Sequence, residues 1–127
     1  MHGTLVPMDN LERVFAYRFG DIYNLYLAKV ERKGKSQQQL DDVLCWLSGH
    51  SVESLHEVAE SEANLRDFFA SVPQLNEHAA LITGVVCGVR VEDVEDPLMR
   101  EIRRMDKVVD ELARGKNIER IKRVPKK

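Results

Sequence analysis

Apolar residues recur at helical spacing in two segments of the first half of the chain. Asp21 stands just before the first segment, where it can start a helix, and Gly34 supplies a stop. Ser36 and Gln39 form a capping box at the start of the second segment, and Gly49 suits its end. The apolar positions of both segments lie on one side of a 3.6-residue period, which predicts two amphipathic helices. They are Ile22, Tyr23, Tyr26, Leu27 and Val30, then Leu40, Val43, Leu44 and Leu47.

The middle of the chain predicts two shorter helices. Ser51 is a favoured N-cap residue, and apolar positions follow it at helical spacing. Ser61 or Asn64 can cap the next helix, which carries two phenylalanines and ends before Pro73.

The last helix is predicted to be long. Asp96 followed by Pro97 is typical of a helix start, and Gly115 marks the end. The apolar stripe between them spans only about two heptads, too few for a free-standing coiled coil, so we expect it to pack mainly within the domain. The stripe consists of Leu98, Ile102, Met105, Val109 and Leu112.

The stretch LITGVVCGVRVEDVEDP, residues 81–97, is rich in β-branched residues and contains two glycines. A lone strand is not stable, and we find no partner strand elsewhere in the sequence. A helix that begins at Asn76 would place the apolar residues on one face, with Gly84 and Gly88 on its flank, where a neighbouring backbone could approach closely. We therefore predict a helix with two close-packing glycines.

These elements together predict an all-α fold. We expect a compact single-domain bundle of about five to seven short and medium helices, without a substantial sheet. A chain of 127 residues can bury one real core but is short for two domains. We expect an N-terminal extension over residues 1–12, a single helical domain over 13–123 and a basic tail over 124–127.

Four segments carry a resemblance to a known family: YNLYLAKVERKGKS, CWLSG, FFASVPQLN and LITGVVCGVRVEDVEDPLMREIRRMDKVVDELARGK. With them, residues 13–123 resemble the bacterial family named domain of unknown function 2200. The resemblance implies a small all-helical domain and implies no particular activity. His50 stands where the resemblance implies a tyrosine, which weakens any role for this histidine.

Charge and hydropathy limit the kinds of partner and the cellular location that we expect for the protein. The formal net charge of −2 points to neither a nucleic acid nor an anionic membrane. No apolar run approaches the ~20 residues that cross a bilayer, and the first residues lack the pattern of a signal peptide. We therefore expect a cytoplasmic protein with no membrane partner.

The cysteines and histidines give little support to catalysis or metal binding. Cys45 and Cys87 lie in apolar segments, so we expect buried free thiols rather than a disulfide or a catalytic pair. The residues of zinc-ligand type that lie close in sequence are Cys45, His50, His56 and Glu57. Their spacing matches no closed tetrahedral pattern, and no glycine-rich phosphate loop is present. We expect no metal and no cofactor.

The segment VLCWLSGHSVESLHEV has the helix, glycine turn and helix of a helix-turn-helix motif. Its second helix would present Glu53, Glu57 and Glu60 to DNA phosphates, which argues against sequence-specific nucleic-acid binding. Basic residues gather instead near the C-terminus, where a solvated helix end and tail explain them. They are Arg114, Lys116, Arg120, Lys122, Arg123, Lys126 and Lys127.

Arg90 and Glu92 are charged residues inside an apolar, glycine-flanked segment. One interpretation is that the acids here complement the start of the last helix while Arg90 pairs with one of them. The other is a recognition site for a small polar ligand or a partner, with Arg90 as a bidentate donor and Trp46 or Tyr26 as an apolar wall. The ligand or partner candidates are therefore Arg90, Glu92, Trp46 and Tyr26.

The sequence indicates no biochemical activity and leaves three hypotheses open. The leading hypothesis is a non-enzymatic binding or protein-interaction module, with a homodimer as one arrangement. An enzyme or small-molecule-binding protein with a site near Arg90 is the alternative. Nucleic-acid binding through the basic C-terminal tail is the third.

Overall fold

The computed structural model describes residues 8–125, which contain seven α-helices, two short 3-10 helices and one two-stranded antiparallel sheet. The helices are α1 (Met8–Phe15), α2 (Phe19–Arg32), α3 (Gln37–Ser48), α4 (Val52–Glu60), α5 (Leu65–Ala70), α6 (Pro97–Ala113) and α7 (Ile118–Ile121). The strands are β1 (Val85–Val86) and β2 (Val89–Arg90). The prediction of an all-α domain without a substantial sheet is confirmed.

Four of the longer helices, α2, α3, α4 and α6, pack around one hydrophobic core. Helix α6 lies against both α2 and α3. Its predicted apolar stripe faces the core, since Ile102 is only 4% exposed and Met105 and Val109 are fully buried. The stripe therefore packs within the domain, as its short length predicts.

Helices α3, α4 and α6 begin at the capping residues that the sequence predicts, Ser36, Ser51 and Asp96. The predicted start at Asp21 is wrong, because α2 begins at Phe19 after Arg18, which makes no side-chain cap. The Ser36 hydroxyl accepts a hydrogen bond of 3.1 Å from the backbone N–H of Gln39, and the Gln39 side chain accepts one of 2.9 Å from the N–H of Ser36. At the start of α6, Asp96 accepts a hydrogen bond of 2.9 Å from the N–H of Met99, and Pro97 occupies the first helical position. These caps satisfy N–H groups that the first turn of a helix leaves unpaired.

The helix predicted for residues 81–89 is wrong, because this stretch folds as a β-hairpin. Val86 pairs with Val89, so Cys87 and Gly88 alone form the turn. Both turn residues have positive φ, 51° and 75°, as a two-residue hairpin turn of this kind requires. The partner strand that the sequence did not reveal is thus β2, which follows β1 directly. Packing against α6 stabilises the hairpin, and Val86 is only 4% exposed.

The close-packing role predicted for Gly84 and Gly88 depended on that helix and is also wrong. Gly84 has a φ of 109°, and a Cβ added there would meet only the end of the flexible Lys107 side chain. At Gly88 a Cβ would have no atom of residues 8–125 within 4 Å beyond its chain neighbours. Positive φ, not close approach, requires both glycines. A close approach between helices occurs instead at Gly20 of α2, where a Cβ would overlap the backbone oxygen of Ala59 in α4.

The boundaries expected at the two ends of the chain remain predictions. Residues 1–7 and 126–127 lie outside the described residues, and they contain much of the expected extension and half of the expected tail. Helix α1 begins before residue 13, and Phe15 at its end is buried in the core. None of the helices between residues 8 and 125 has the length and apolar character needed to cross a membrane.

Candidate functional site

Arg90 and Glu92, two of the predicted ligand candidates, form an ion pair of 3.6 Å on the hairpin. The Arg90 side chain is 55% exposed. The Glu92 carboxylate accepts a hydrogen bond of 2.9 Å from the N–H of Gly84, and this bond is the main reason why the pKa of Glu92 is lowered. The Arg90–Glu92 pair is the one that the simpler of the two interpretations expects, and the bond to Gly84 gives the carboxylate a further partner in the backbone.

Tyr26 and Trp46 lie in other parts of the domain. Tyr26 on α2 is buried, and its hydroxyl donates a hydrogen bond of 2.5 Å to Oδ1 of Asp106 on α6. Trp46 on α3 is half-buried beside a depression of about 530 Å³ that His78 also lines. Neither Tyr26 nor Arg90 lines that depression. The structure therefore does not bring the four candidates into one site.

The cysteines and histidines are also dispersed. The expectation of a buried thiol is wrong for Cys87, which is exposed in the hairpin turn, and Cys45 is half-buried. His50 stacks on Phe68 with ring centroids 5.6 Å apart, and its Nδ1 lies 2.8 Å from the Ser54 hydroxyl. Within residues 8–125, no three His, Cys, Asp or Glu side chains form a group that could hold a metal ion.

A hydrogen-bonded network that the sequence-based predictions did not include joins three helices. It consists of Tyr23 on α2, Asp41 on α3 and His56 on α4. Tyr23 and Asp41 are each 4% exposed, whereas the side chain of His56 is 36% exposed. The network therefore begins inside the helix junction and reaches the surface at His56.

The Asp41 carboxylate is the centre of this network. Oδ1 accepts a hydrogen bond of 2.5 Å from the Tyr23 hydroxyl, and Oδ2 lies 2.8 Å from Nε2 of His56. Gln37 donates a further bond of 3.0 Å to the Tyr23 oxygen. Because an ionised carboxylate only accepts, Nε2 of a neutral His56 carries the proton and Nδ1 is left as an acceptor.

Burial and negative charge keep protons on the neighbouring groups. Burial, and after it the hydrogen bond with Asp41, raises the pKa of Tyr23 well above its ordinary value. The pKa of the Cys45 thiol is raised by burial first and then by the nearby charges of Asp41, Asp42 and Glu53. Cys45 is therefore a thiol at neutral pH, and the potential around it is negative.

The network lies beside a surface groove of about 740 Å³, which we call the α3–α4 groove. It is lined by residues of α3 between Gln37 and Cys45, by residues of α4 between Val52 and His56, and by Ile118 of α7. Its ionisable lining groups are Asp41, Asp42, Cys45, Glu53 and His56. No lysine or arginine of residues 8–125 is among the lining residues.

The basic residues near the C-terminus pair largely with acids of the same domain. The two Nη groups of Arg123 donate bonds of 2.6 and 2.8 Å to Glu111, and Lys116 lies 3.3 Å from the same carboxylate. Burial opposes the ionisation of Glu111, but Arg123 and Lys116 outweigh it and lower its pKa. Lys122 donates a bond of 2.6 Å to Asp42. These pairs reduce the support for nucleic-acid binding through this segment.

The helical pattern predicts Tyr23 on the apolar side of its helix and assigns no role to Asp41. One signal was available, because Asp41 is about 100° around α3 from Leu40 and so lies at the edge of the apolar face. Nothing in the sequence pairs it with Tyr23 or His56, which are 18 and 15 residues away. Their meeting depends on how three helices pack.

Two comparisons find similar proteins. A family model described as "Uncharacterized protein conserved in bacteria (DUF2200)" matches residues 13–123. A solved structure, "Crystal structure of uncharacterized protein SP1917", is 38% identical in sequence, with a TM-score of 0.82. The similarity covers 87% of this chain and 90% of that one. Among curated proteins, no sequence matches.

Proposed function

The chain belongs to the bacterial DUF2200 family, as its sequence resemblance predicts, and we propose that it is a non-enzymatic binding module. Its ligand is a basic peptide segment of a partner protein, which binds in the α3–α4 groove. The observation that carries this proposal is the charge of the groove, whose lining contains three acids and neither lysine nor arginine among residues 8–125. Such a surface attracts cations and repels anions.

The α3–α4 groove offers hydrogen-bond acceptors to a lysine or arginine side chain of the partner at two depths. Asp42 and Glu53 offer carboxylates near the surface, the Asp42 side chain being 48% exposed. A neutral His56 offers its Nδ1 lone pair, since the carboxylate of Asp41 then holds the proton on Nε2. Hydrogen bonds from a cation to such groups are stronger than bonds between neutral groups. The groove volume, about 740 Å³, lies in the ordinary range for ligand sites.

The protonation states of the groove support binding rather than covalent catalysis. A cysteine nucleophile reacts as the thiolate, but burial and the neighbouring acids raise the pKa of Cys45. The hydroxyl of Tyr23 likewise stays protonated, because burial and Asp41 raise its pKa. His56 and Asp41 form a pair of the kind used for general-base chemistry, but no activated nucleophile accompanies them among the lining residues.

The other hypotheses have less support from the geometry. Arg90 is more than half exposed and already paired with Glu92, which is poor geometry for an enzyme site centred on this arginine. A homodimer is compatible with the binding module, and native mass spectrometry tests it. We extend the proposal to a cytoplasmic location, where an exposed thiol such as that of Cys87 stays reduced.

The proposal is tested by titrating ¹⁵N-labelled protein with two capped pentapeptides and following the amide resonances. In one peptide arginine alternates with glycine, and in the other glutamate takes the place of arginine. We expect saturable shifts around Asp42, Glu53 and His56 with the arginine peptide alone. Asp42→Asn or Glu53→Gln weakens binding by about two- to fivefold, which corresponds to the loss of one partly exposed charge pair.

Glu62→Gln is the matched control, because it removes one negative charge at an exposed position that does not line the groove. It leaves the affinity nearly unchanged if the groove is the site. Shifts that map to another face, or equal weakening by all three substitutions, would refute the proposal.

A further inference from the structure

We infer that Lys122 is a built-in competitor for the α3–α4 groove: its amine competes with a cationic ligand for the carboxylate of Asp42. The inference rests on the proposed function, because it concerns the same groove. Nζ of Lys122 lies 2.6 Å from Oδ1 of Asp42, although the two residues are 80 positions apart in the sequence.

Lys122 is positioned beside the groove by α7. Ile118 of this helix lines the groove, and the N–H of Lys122 donates a bond of 3.0 Å to the carbonyl of Ile118. The Lys122 side chain crosses from this wall to Asp42 on α3. A lysine of the chain itself thus makes the contact that we propose for a basic residue of the partner.

The backbone on both sides of Lys122 is firmly held. Ile121 is fully buried, and Arg123 binds the buried carboxylate of Glu111 through both of its Nη groups. Since the backbone is already ordered, the amine reaches Asp42 without a further cost in backbone entropy. The local concentration of this internal amine is therefore high, as in any tethered ligand.

The pair is nevertheless weak enough to be displaced. The side chains of Lys122 and Asp42 are 31% and 48% exposed, so water and salt compete for both charges. Exposed ion pairs of this kind change an equilibrium by about fivefold at most. Lys122 is therefore a mild competitor that selects ligands able to engage Glu53 or His56 in addition to Asp42.

The test measures the affinity of the capped arginine–glycine pentapeptide for the protein and three variants by the same amide titration. Lys122→Gln removes the competing charge, and we expect the affinity to rise about two- to fivefold. Lys122→Arg retains the charge and gives little change. Lys116→Gln is the matched control, because it removes the same charge from a lysine that pairs with Glu111 and not with the groove.

The double variant Asp42→Asn with Lys122→Gln separates direct competition from bulk charge. If Lys122 acts through Asp42, removing Lys122 gives no further gain once Asp42 is neutral. Equal gains from Lys116→Gln and Lys122→Gln would overturn the inference, and so would an unchanged affinity of Lys122→Gln for a peptide that still binds in the groove. In both cases the proposed function stands. Absence of binding to the protein and to every variant would overturn the two proposals together.

Discussion

The carboxylate of Glu92 accepts a hydrogen bond of 2.9 Å from the backbone N–H of Gly84, eight residues earlier in the chain. Beside it, the N–H of Val91 donates a bond of 2.8 Å to the carbonyl of the same glycine. Lys107 on α6 donates a bond of 3.1 Å to the carbonyl of Val85. A hairpin with two residues in each strand is marginal in water, so these bonds at its base and the packing on α6 hold it in place.

We expect alanine to be poorly tolerated at Gly84 and Gly88, because both glycines have positive φ. The φ angles of Gly84 and Gly88 are 109° and 75°, and residues with a Cβ pay about 1–2 kcal/mol to adopt such conformations. We expect each alanine variant to lose about that much stability in urea denaturation. Gly88→Asn should lose less, because asparagine tolerates left-handed conformations. Alanine variants as stable as the parent would contradict the hairpin geometry.

A larger steric effect is expected at Gly20, where α2 meets the end of α4. A Cβ at this position would overlap the backbone oxygen of Ala59, which also accepts a bond of 2.9 Å from the guanidinium of Arg18. Gly20→Ala forces the two helices apart, and we expect a loss of about 1–3 kcal/mol in the free energy of unfolding. Asn24→Ala is the control, because Asn24 is exposed on the same helix and alanine there is neutral or slightly favourable. Equal stability of the two variants would show that the helices do not meet closely at Gly20.

The apolar stripe of α6 predicts a large effect of truncation at Ile102. This side chain is 4% exposed, so Ile102→Ala removes buried methyl groups and leaves a cavity. The expected loss is about 2–5 kcal/mol in denaturant melts. Leu25→Ala removes a similar apolar side chain that is 67% exposed, and it should change stability by less than about 0.5 kcal/mol. A near-zero effect at Ile102 would show that α6 does not pack in the core.

Asp41 and Asp42 are adjacent acids on α3 whose replacement should affect stability to very different extents. Asp41 is buried and holds hydrogen bonds with Tyr23 and His56, so Asp41→Ala leaves the Tyr23 hydroxyl without this acceptor. We expect a loss of about 1–3 kcal/mol in the free energy of unfolding. Asp42→Ala removes a half-exposed carboxylate and should change stability by about 0.5 kcal/mol or less. Similar losses at the two positions would contradict the network.

We expect the free energy of unfolding to depend on pH through His50. Burial lowers its pKa from the ordinary 6.5, and its Nε2 is buried without a hydrogen-bond partner among residues 8–125. As the pH falls through about 6.5, the unfolded chain takes up the proton more readily than the folded protein, so the free energy of unfolding decreases. Above that pH, both states are neutral and the effect is absent.

His50→Tyr should therefore flatten the decline in stability between about pH 7.5 and pH 5, because tyrosine does not titrate there. Denaturation midpoints measured across this range test the prediction. His78→Gln serves as the control for removing a histidine elsewhere. Parallel pH profiles for the parent and His50→Tyr would show that burial of Nε2 does not lower the pKa of His50.

The sequence by itself determined α3, α4 and α6 and the residues that cap their starts, because the interactions that decide them are local. It did not predict α1 or α7, and it placed the start of α2 too late in the chain. The capping box of Ser36 and Gln39 and the Asp96 cap of α6 each act within three residues. Helical periodicity also located the apolar sides of α2, α3 and α6, and a single small domain has one core for such sides to face. The general class of the fold could therefore be predicted before any contact between helices was known.

The tertiary structure alone decided the hairpin and the candidate site. The strands around Cys87 are too short to be stable without α6, so the preference of residues 81–91 depends on a helix that comes later in the chain. Tyr23, Asp41 and His56 meet because α2, α3 and α4 converge, and Lys122 reaches Asp42 across 80 residues. Periodicity specifies which side of a helix is buried, but the distance between polar groups on different helices is set by how those helices pack.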